Sequence, residues 1–145
     1  MYQKVKGTQD FYDEVARKFR YLQKVITDVI SKFGYEEIIT PVFEHTEVFV
    51  RSSGEESDIV SKEMYTFKDK GDRSLTLRPE GTAGVVRSYI ENKMYANATL
   101  KKFYYLGPMF RYERPQAGRY RQFYQFGVEA FGPSTAFLDV DVIIS

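Results

Sequence analysis

FYYLGPMFRYERPQAGRYRQFYQFGVEAFG, running from Phe103 to Gly132, reads as two strands around a turn. On either side of Pro115-Gln116-Ala117-Gly118, aromatic and apolar residues alternate with polar ones: Phe103, Tyr105, Met109 and Phe110 before, Phe123, Phe126 and Val128 after. That pattern predicts an antiparallel hairpin with one face of each strand buried. Four arginines, Arg111, Arg114, Arg119 and Arg121, lie within it beside the acceptors Glu113, Gln125 and Glu129. Gln125 and Glu129 are an even number of residues apart, which in a strand puts both side chains on one face. Arginines converging with a carboxylate and an amide on a sheet face suit a ligand with phosphates at one end and hydrogen-bond donors at the other. The same residues also read as a solvent-facing hairpin whose arginines pair loosely with Glu113 and Glu129, an arrangement that contributes little.

Outward from the hairpin, helices and strands follow one another in an α+β order. Val15, Phe19, Leu22, Ile26, Val29, Ile30 and Phe33 recur at three- and four-residue steps before Gly34, predicting an amphipathic helix over about residues 12–33 with this stripe in the core. Glu36 to Glu44 reads as a strand, and Pro41 within it marks a sheet edge or a bulge. Residues 64–67 and 74–77 flank a charged segment containing Gly71 and read as a second hairpin. Thr82 to Lys93 has helical spacing through Val85, Val86, Tyr89 and Ile90, with Thr82 as its cap. Arg51 to Glu63 is polar: a surface loop with a short helix, or a mobile segment beside a site. Asp139 to Ser145 reads as a helix whose apolar side is still running, an expectation of a longer polypeptide.

Composition narrows the chemistry. At 145 residues, 43% of them hydrophobic, the chain has the size of one domain able to bury a core. With 21 Lys and Arg against 20 Asp and Glu, it carries no electrostatic footprint of a general nucleic-acid binder, so RNA would have to be held locally. No cysteine is present, which excludes disulfides and thiolate metal sites. His45, the only histidine, supports neither a Ser-His-Asp arrangement nor a metal site, and no Gly-x-x-x-x-Gly-Lys phosphate loop occurs. No apolar run approaches membrane-spanning length, and a cytoplasmic protein with no membrane partner is expected.

Phe110-Arg111-Tyr112-Glu113, the loop with Arg119, and Phe123 resemble motif 2 of the class II aminoacyl-tRNA synthetases, in the version of the histidyl-tRNA synthetase family. Lys6-Gly7-Thr8-Gln9-Asp10 resembles that family's amino-terminal signature, Ile39-Thr40-Pro41-Val42-Phe43-Glu44 its motif 1, and Leu77-Arg78-Pro79-Glu80-Gly81-Thr82 its amino-acid-binding loop. The resemblance implies the class II catalytic fold, an antiparallel sheet flanked by helices. Residues 1–145 would form a partial catalytic domain carrying motifs 1 and 2, without motif 3, the second histidine signature or the anticodon-binding domain.

The implied activity is a histidine–tRNA ligase, an ATP-dependent enzyme that makes histidyl-adenylate and passes the histidyl group to tRNA(His). Its substrates would be L-histidine, ATP with Mg2+, whose metal ligands are not identifiable in this chain, and tRNA(His) in the full-length protein. Arg111 would be the catalytic residue, stabilising charge on the α-phosphate. ATP would be held by Arg111, Glu113 at the adenine amino group, Arg119 at the terminal phosphate and Phe123 under the adenine ring. Histidine would be held by Glu80, Gly81, Thr82 and Gln125, with Glu129 receiving an imidazole N–H; without the resemblance, Glu129 reads equally as a structural ion-pair partner. Motif 1, with Pro41, would form the interface of a homodimer. Two rivals stand beside this reading. One is a synthetase-like regulatory subunit of histidine biosynthesis, which usually departs from the ATP-binding arginines, and the other is a dimerising fragment without chemistry.

Overall fold

The computed structural model describes residues 1–54, 57–97, 100–114, 116, 118–132 and 136–144. Its longest helix, α1 (Asp13–Lys32), ends where Phe33 and Gly34 return their N–H groups to the carbonyls of Ile30 and Ser31. Gly34 has φ +79°, a left-handed conformation that a residue without Cβ adopts at little cost. The chain then forms β1 (Glu36–Glu37), β2 (Phe43–His45), α2 (Thr46–Ser53), a π-helical turn at Ile59–Glu63, β3 (Thr66–Lys68) and β4 (Ser74–Leu77). Helix α3 (Thr82–Glu91), strands β5 (Lys101–Phe110) and β6 (Gln122–Phe131), and α4 (Ala136–Ile144) complete it.

Two three-stranded sheets result. In the first, β5 is central, pairing antiparallel with β6 from Lys101↔Phe131 to Phe110↔Gln122 and parallel with β1 on its other edge. In the second, β4 lies antiparallel between β2 and β3. The β3–β4 hairpin is closed by Asp69, whose carboxylate accepts the backbone N–H groups of Gly71 and Arg73 and bonds the Arg73 guanidinium. The hydrogen bond from the Arg73 guanidinium, together with the backbone donors, holds the Asp69 carboxyl below the usual range. The two sheets meet at Arg78, whose N–H donates to Val42 O while its carbonyl accepts the N–H of Phe110.

Strand β5 is where the expectation of one buried face fails. Phe103, Tyr105 and Met109 pack with Val85 of α3 on one side, whereas Tyr104 packs with Ile30 of α1 and Tyr35 on the other. A strand paired on both edges and covered by a helix on each face has no solvent side, so its sequence is apolar nearly throughout.

Four further readings are corrected. Residues 36–44 do not form one strand: Glu36 and Glu37 pair with β5, Phe43 to His45 with β4, and the chain crosses between sheets around Pro41, which has no N–H to donate. The α1 stripe is only partly core, because Val15, Leu22 and Val29 are exposed while Ile30 is buried. Thr82 does not cap α3; Gly81 occupies that position and the Glu80 side chain supplies the acceptors. Helix α3 stops at Glu91, with Asn92 bonding Ser88 and Lys93 at φ +51°. Within residues 51–63, read as a surface loop with a short helix or as a mobile segment, the described residues hold the end of α2 and the π-helical turn. Among the described residues, no helix is long and apolar enough to cross a membrane.

Candidate functional site

Register assembles the site. Phe123, Gln125, Gly127 and Glu129 occupy alternate positions of β6 and pair with Met109, Gly107, Tyr105 and Phe103. Alternation therefore puts them on the face of the sheet that α3 covers, in a row spanning roughly 20 Å at the usual rise of a strand. The loop from Arg78 to Thr82 lies along this row, so each of its residues meets the sheet at a different point.

At one end, Thr82 Oγ1 donates to Glu129 Oε1 at 2.6 Å. Glu80 binds the start of α3: Oε2 accepts the Thr82 N–H at 2.5 Å and Oε1 the Ala83 N–H at 3.0 Å. A carboxylate there satisfies N–H groups that lack helical partners and complements the positive end of the helix. Burial pushes the Glu129 carboxyl up; the Thr82 hydroxyl opposes this and the nearby Glu80 charge adds to it. The Tyr105 phenol, also raised by burial, lies in the same group. Its ring is wedged between two glycines: a Cβ at Gly81 would lie 2.2 Å from it and one at Gly127 2.3 Å. These positions accept no side chain while Tyr105 stays in place.

Midway along the row, Gln125 Oε1 is buried without a hydrogen-bond partner among the described residues. A buried amide oxygen left unpaired costs about 1–3 kcal/mol unless a donor reaches it. At the far end, the Arg111 guanidinium lies over the Phe123 ring, 5.2 Å from its centroid. Arg111 Nε donates to Pro79 O at 2.8 Å, which fixes the plane of the fork against the loop that also carries Glu80. Arg111, Phe123, Gln125, Glu129, Thr82 and Glu80 thus share one wall and floor.

The four arginines of the hairpin do not gather into one cluster. Arg119 is exposed in the turn, 3.7 Å from Glu113, and Arg114 is exposed as well. Arg121 stacks on Tyr112, with 4.2 Å from its guanidinium carbon to the ring centroid, and bonds Glu113 O. Gly7 explains this: its carbonyl takes the N–H groups of Arg121 and Gln122, and its lack of a Cβ, which would lie 2.8 Å from Arg121 Cγ, leaves room for the Arg121 stem. Pro115 and Ala117 of the expected turn lie outside the described residues. Pro41 is exposed beside Ile39, Val42 and Phe43, on the edge where an interface was expected. His45 closes β2, and among the described residues no group of three or more His, Asp or Glu could hold a metal.

Sequence reasoning missed Arg78 and Tyr105. Arg78 is only 8% exposed; Nε donates to Pro108 O at 2.8 Å and Nη1 to Thr40 O at 3.0 Å. The available signal was an arginine at the end of an apolar strand, directly followed by a proline, where a surface charge has no reason to be. Tyr105 was assigned to core packing and also borders the Glu129 group.

The chain is similar to known proteins over nearly its whole length. The family described as Histidyl-tRNA synthetase matches residues 7–144. A histidine–tRNA ligase of Thermosipho melanesiensis is 57% identical over 144 residues, covering 99% of this chain and 34% of that protein. One from Clostridioides difficile is 56% identical over 138 residues, covering 95% of this chain and 33% of that protein. The apo histidyl-tRNA synthetase of S. aureus superimposes with a TM-score of 0.83 at 48% identity, over 99% of this chain and 33% of that one. A Bacillus halodurans structure described as an ATP phosphoribosyltransferase regulatory subunit/histidyl-tRNA synthetase gives 0.82 at 28% identity, over 99% of this chain and 36% of that one. The chain spans about a third of the length of the curated relatives it matches.

Proposed function

From the premise that this chain belongs to the histidyl-tRNA synthetase family, we propose that it carries the ATP- and histidine-binding face of a histidine–tRNA ligase. The reaction is the attack of the histidine carboxylate on the α-phosphorus of Mg2+-bound ATP, giving histidyl-adenylate and pyrophosphate, followed by transfer of the histidyl group to tRNA(His). Negative charge grows on the α-phosphoryl oxygens during the first step. A guanidinium already fixed by a carbonyl and an aromatic ring meets that charge without reorganising, which lowers the barrier more than it tightens substrate binding. Arg111 has this role.

Phe123 is the stacking surface for adenine, Glu113 the acceptor for its amino group, and Arg119 the partner of the terminal phosphate. Arg119 and Glu113 now pair only loosely, so ATP takes over both at little cost. Gln125 Oε1 and the loop residues Glu80, Gly81 and Thr82 receive the substrate ammonium group, and Glu129 accepts the imidazole N–H. An apolar isostere of histidine would leave Glu129 buried and unpaired, which is how the site rejects it. The observation that carries the reading is the buried, unpartnered Gln125 oxygen in one row with Glu129 and Arg111. A homodimer through the motif 1 edge and a soluble cytoplasmic setting go with this function.

The regulatory-subunit reading rests on the 28% likeness alone, and the full set Arg111, Glu113, Arg119, Gln125 and Glu129 speaks for catalysis. The test is histidine-dependent pyrophosphate exchange by a ligase assembled from this chain and the remaining two thirds of the Thermosipho melanesiensis relative. Exchange is expected, and Arg111→Ala should reduce kcat at least about a hundredfold, as for loss of one oxyanion-type donor. No exchange by the unsubstituted ligase, or a change under about threefold in the variant, would reject the activity or the role.

A further inference from the structure

We propose that Arg78 is a positioning residue for this reaction, holding the Pro79 carbonyl that orients Arg111; the inference rests on the ligase reading for its consequence but not for its geometry. Three observations carry it. First, Arg78 is buried yet has no carboxylate partner among the described residues, its hydrogen bonds going to the neutral acceptors Pro108 O, Thr40 O and Thr40 Oγ1. Burying a cation this way is costly, and a residue needed only for packing would be apolar. Second, those acceptors belong to different segments. Nε reaches β5 and Nη1 the segment before β2, a span that a planar fork bridges and an ammonium group does not. Third, β5 makes room for the guanidinium at one place: a Cβ at Gly107 would lie 2.3 Å from Nη2. Gly107 is the cross-strand partner of Gln125, so the clamp lies along the row of site residues.

The next residue, Pro79, accepts Arg111 Nε, and the one after it, Glu80, caps α3. Fixing Arg78 to both sheets therefore sets where the Arg111 fork points and where the histidine-side loop begins. A small misplacement of a group that acts on the transition state costs turnover while leaving the rest of ATP binding nearly unchanged.

The experiment has two arms. In the 145-residue chain, the Arg111 Nε–H resonance is assigned by its loss in Arg111→Lys, and its solvent exchange is measured by NMR. Arg78→Lys should speed that exchange at least about tenfold with the backbone amide pattern of β5 and β6 retained. Gly107→Ala, which crowds Nη2 without removing the guanidinium, should do the same and serves if the lysine variant does not fold. In the assembled ligase, Arg78→Lys should lower kcat for pyrophosphate exchange about thirtyfold or more, with the ATP KM within about threefold. Unchanged Arg111 exchange in both variants, or a kcat within about threefold, overturns the inference. If the unsubstituted ligase makes no histidine-dependent exchange while the NMR result is as expected, the functional reading fails and the positioning of Arg111 stands.

Discussion

Glu129 is where the proposed recognition role and stability bear on one carboxylate. Burial raises its pKa, so the folded chain binds its proton more tightly than the unfolded chain does. Stability from this group is fully present below the ordinary glutamate pKa and is lost as pH rises through the raised folded value. Ionising this side chain in the folded chain therefore carries a cost, which a cationic or N–H-bearing ligand relieves. Glu129→Gln keeps the shape without the charge. It should raise the melting temperature of the free chain at pH 7, with the gain shrinking as pH falls toward about 4.5, while weakening histidine binding at least about tenfold and ATP binding little. Calorimetry with both ligands and melting curves across pH check this; equal losses for the two ligands would make Glu129 a structural group. Spacing placed Gln125 and Glu129 on one strand face, but the roles of Arg111, Gln125 and Glu129 came only with the resemblance to motif 2, since their types and spacing fit a solvent-facing hairpin equally well. Arg78 was passed over although it ends a strand and precedes a proline, because its burial is set by acceptors far away in the chain.

Between elements, the contact that decides most is the Tyr105 ring held between Gly81 at the start of α3 and Gly127 in the middle of β6. It ties the helix to the hairpin at the point where the histidine-side residues meet. Gly127→Ala should destabilise the chain by about 1–3 kcal/mol, as overpacking does. In a Tyr105→Leu background the same substitution should cost less than half as much, because the two changes share one contact. Equal costs in both backgrounds, measured by denaturant unfolding, would show that the ring is not what excludes a side chain. The strands of the hairpin were readable from alternation, and their register confirms Gln125 and Glu129 on one face. Three element-level errors share a cause. The division of residues 36–44, the two buried faces of β5 and the capping of α3 by Glu80 all depend on what packs from elsewhere in the chain. Local periodicity carries no record of that.

At the scale of the molecule, Val15, Leu22, Val25 and Val29 of α1 are exposed, as are Ile39, Val42 and Phe43 at the motif 1 edge. Exposed apolar stripes and sheet edges of this kind favour association. The chain is expected to form dimers or larger assemblies at tens of micromolar, and Ile39→Lys with Val42→Lys should shift it toward monomer. Light scattering that finds a monomer of 17.0 kDa for the unsubstituted chain would reject the claim. By itself, the sequence determined the α+β order, the 103–132 hairpin and the family. Those follow from residue type and short-range spacing, which are local properties. Only the tertiary structure decided that Arg111 rests on the Pro79 carbonyl and Phe123, that Arg121 belongs instead to Tyr112 and Gly7, and that Arg78 joins the two sheets. Each of these is a meeting of groups far apart in the chain or across a turn. Which partner a long, flexible guanidinium takes is set by competing acceptors in space, and that competition is resolved only when the sheets and helices have packed.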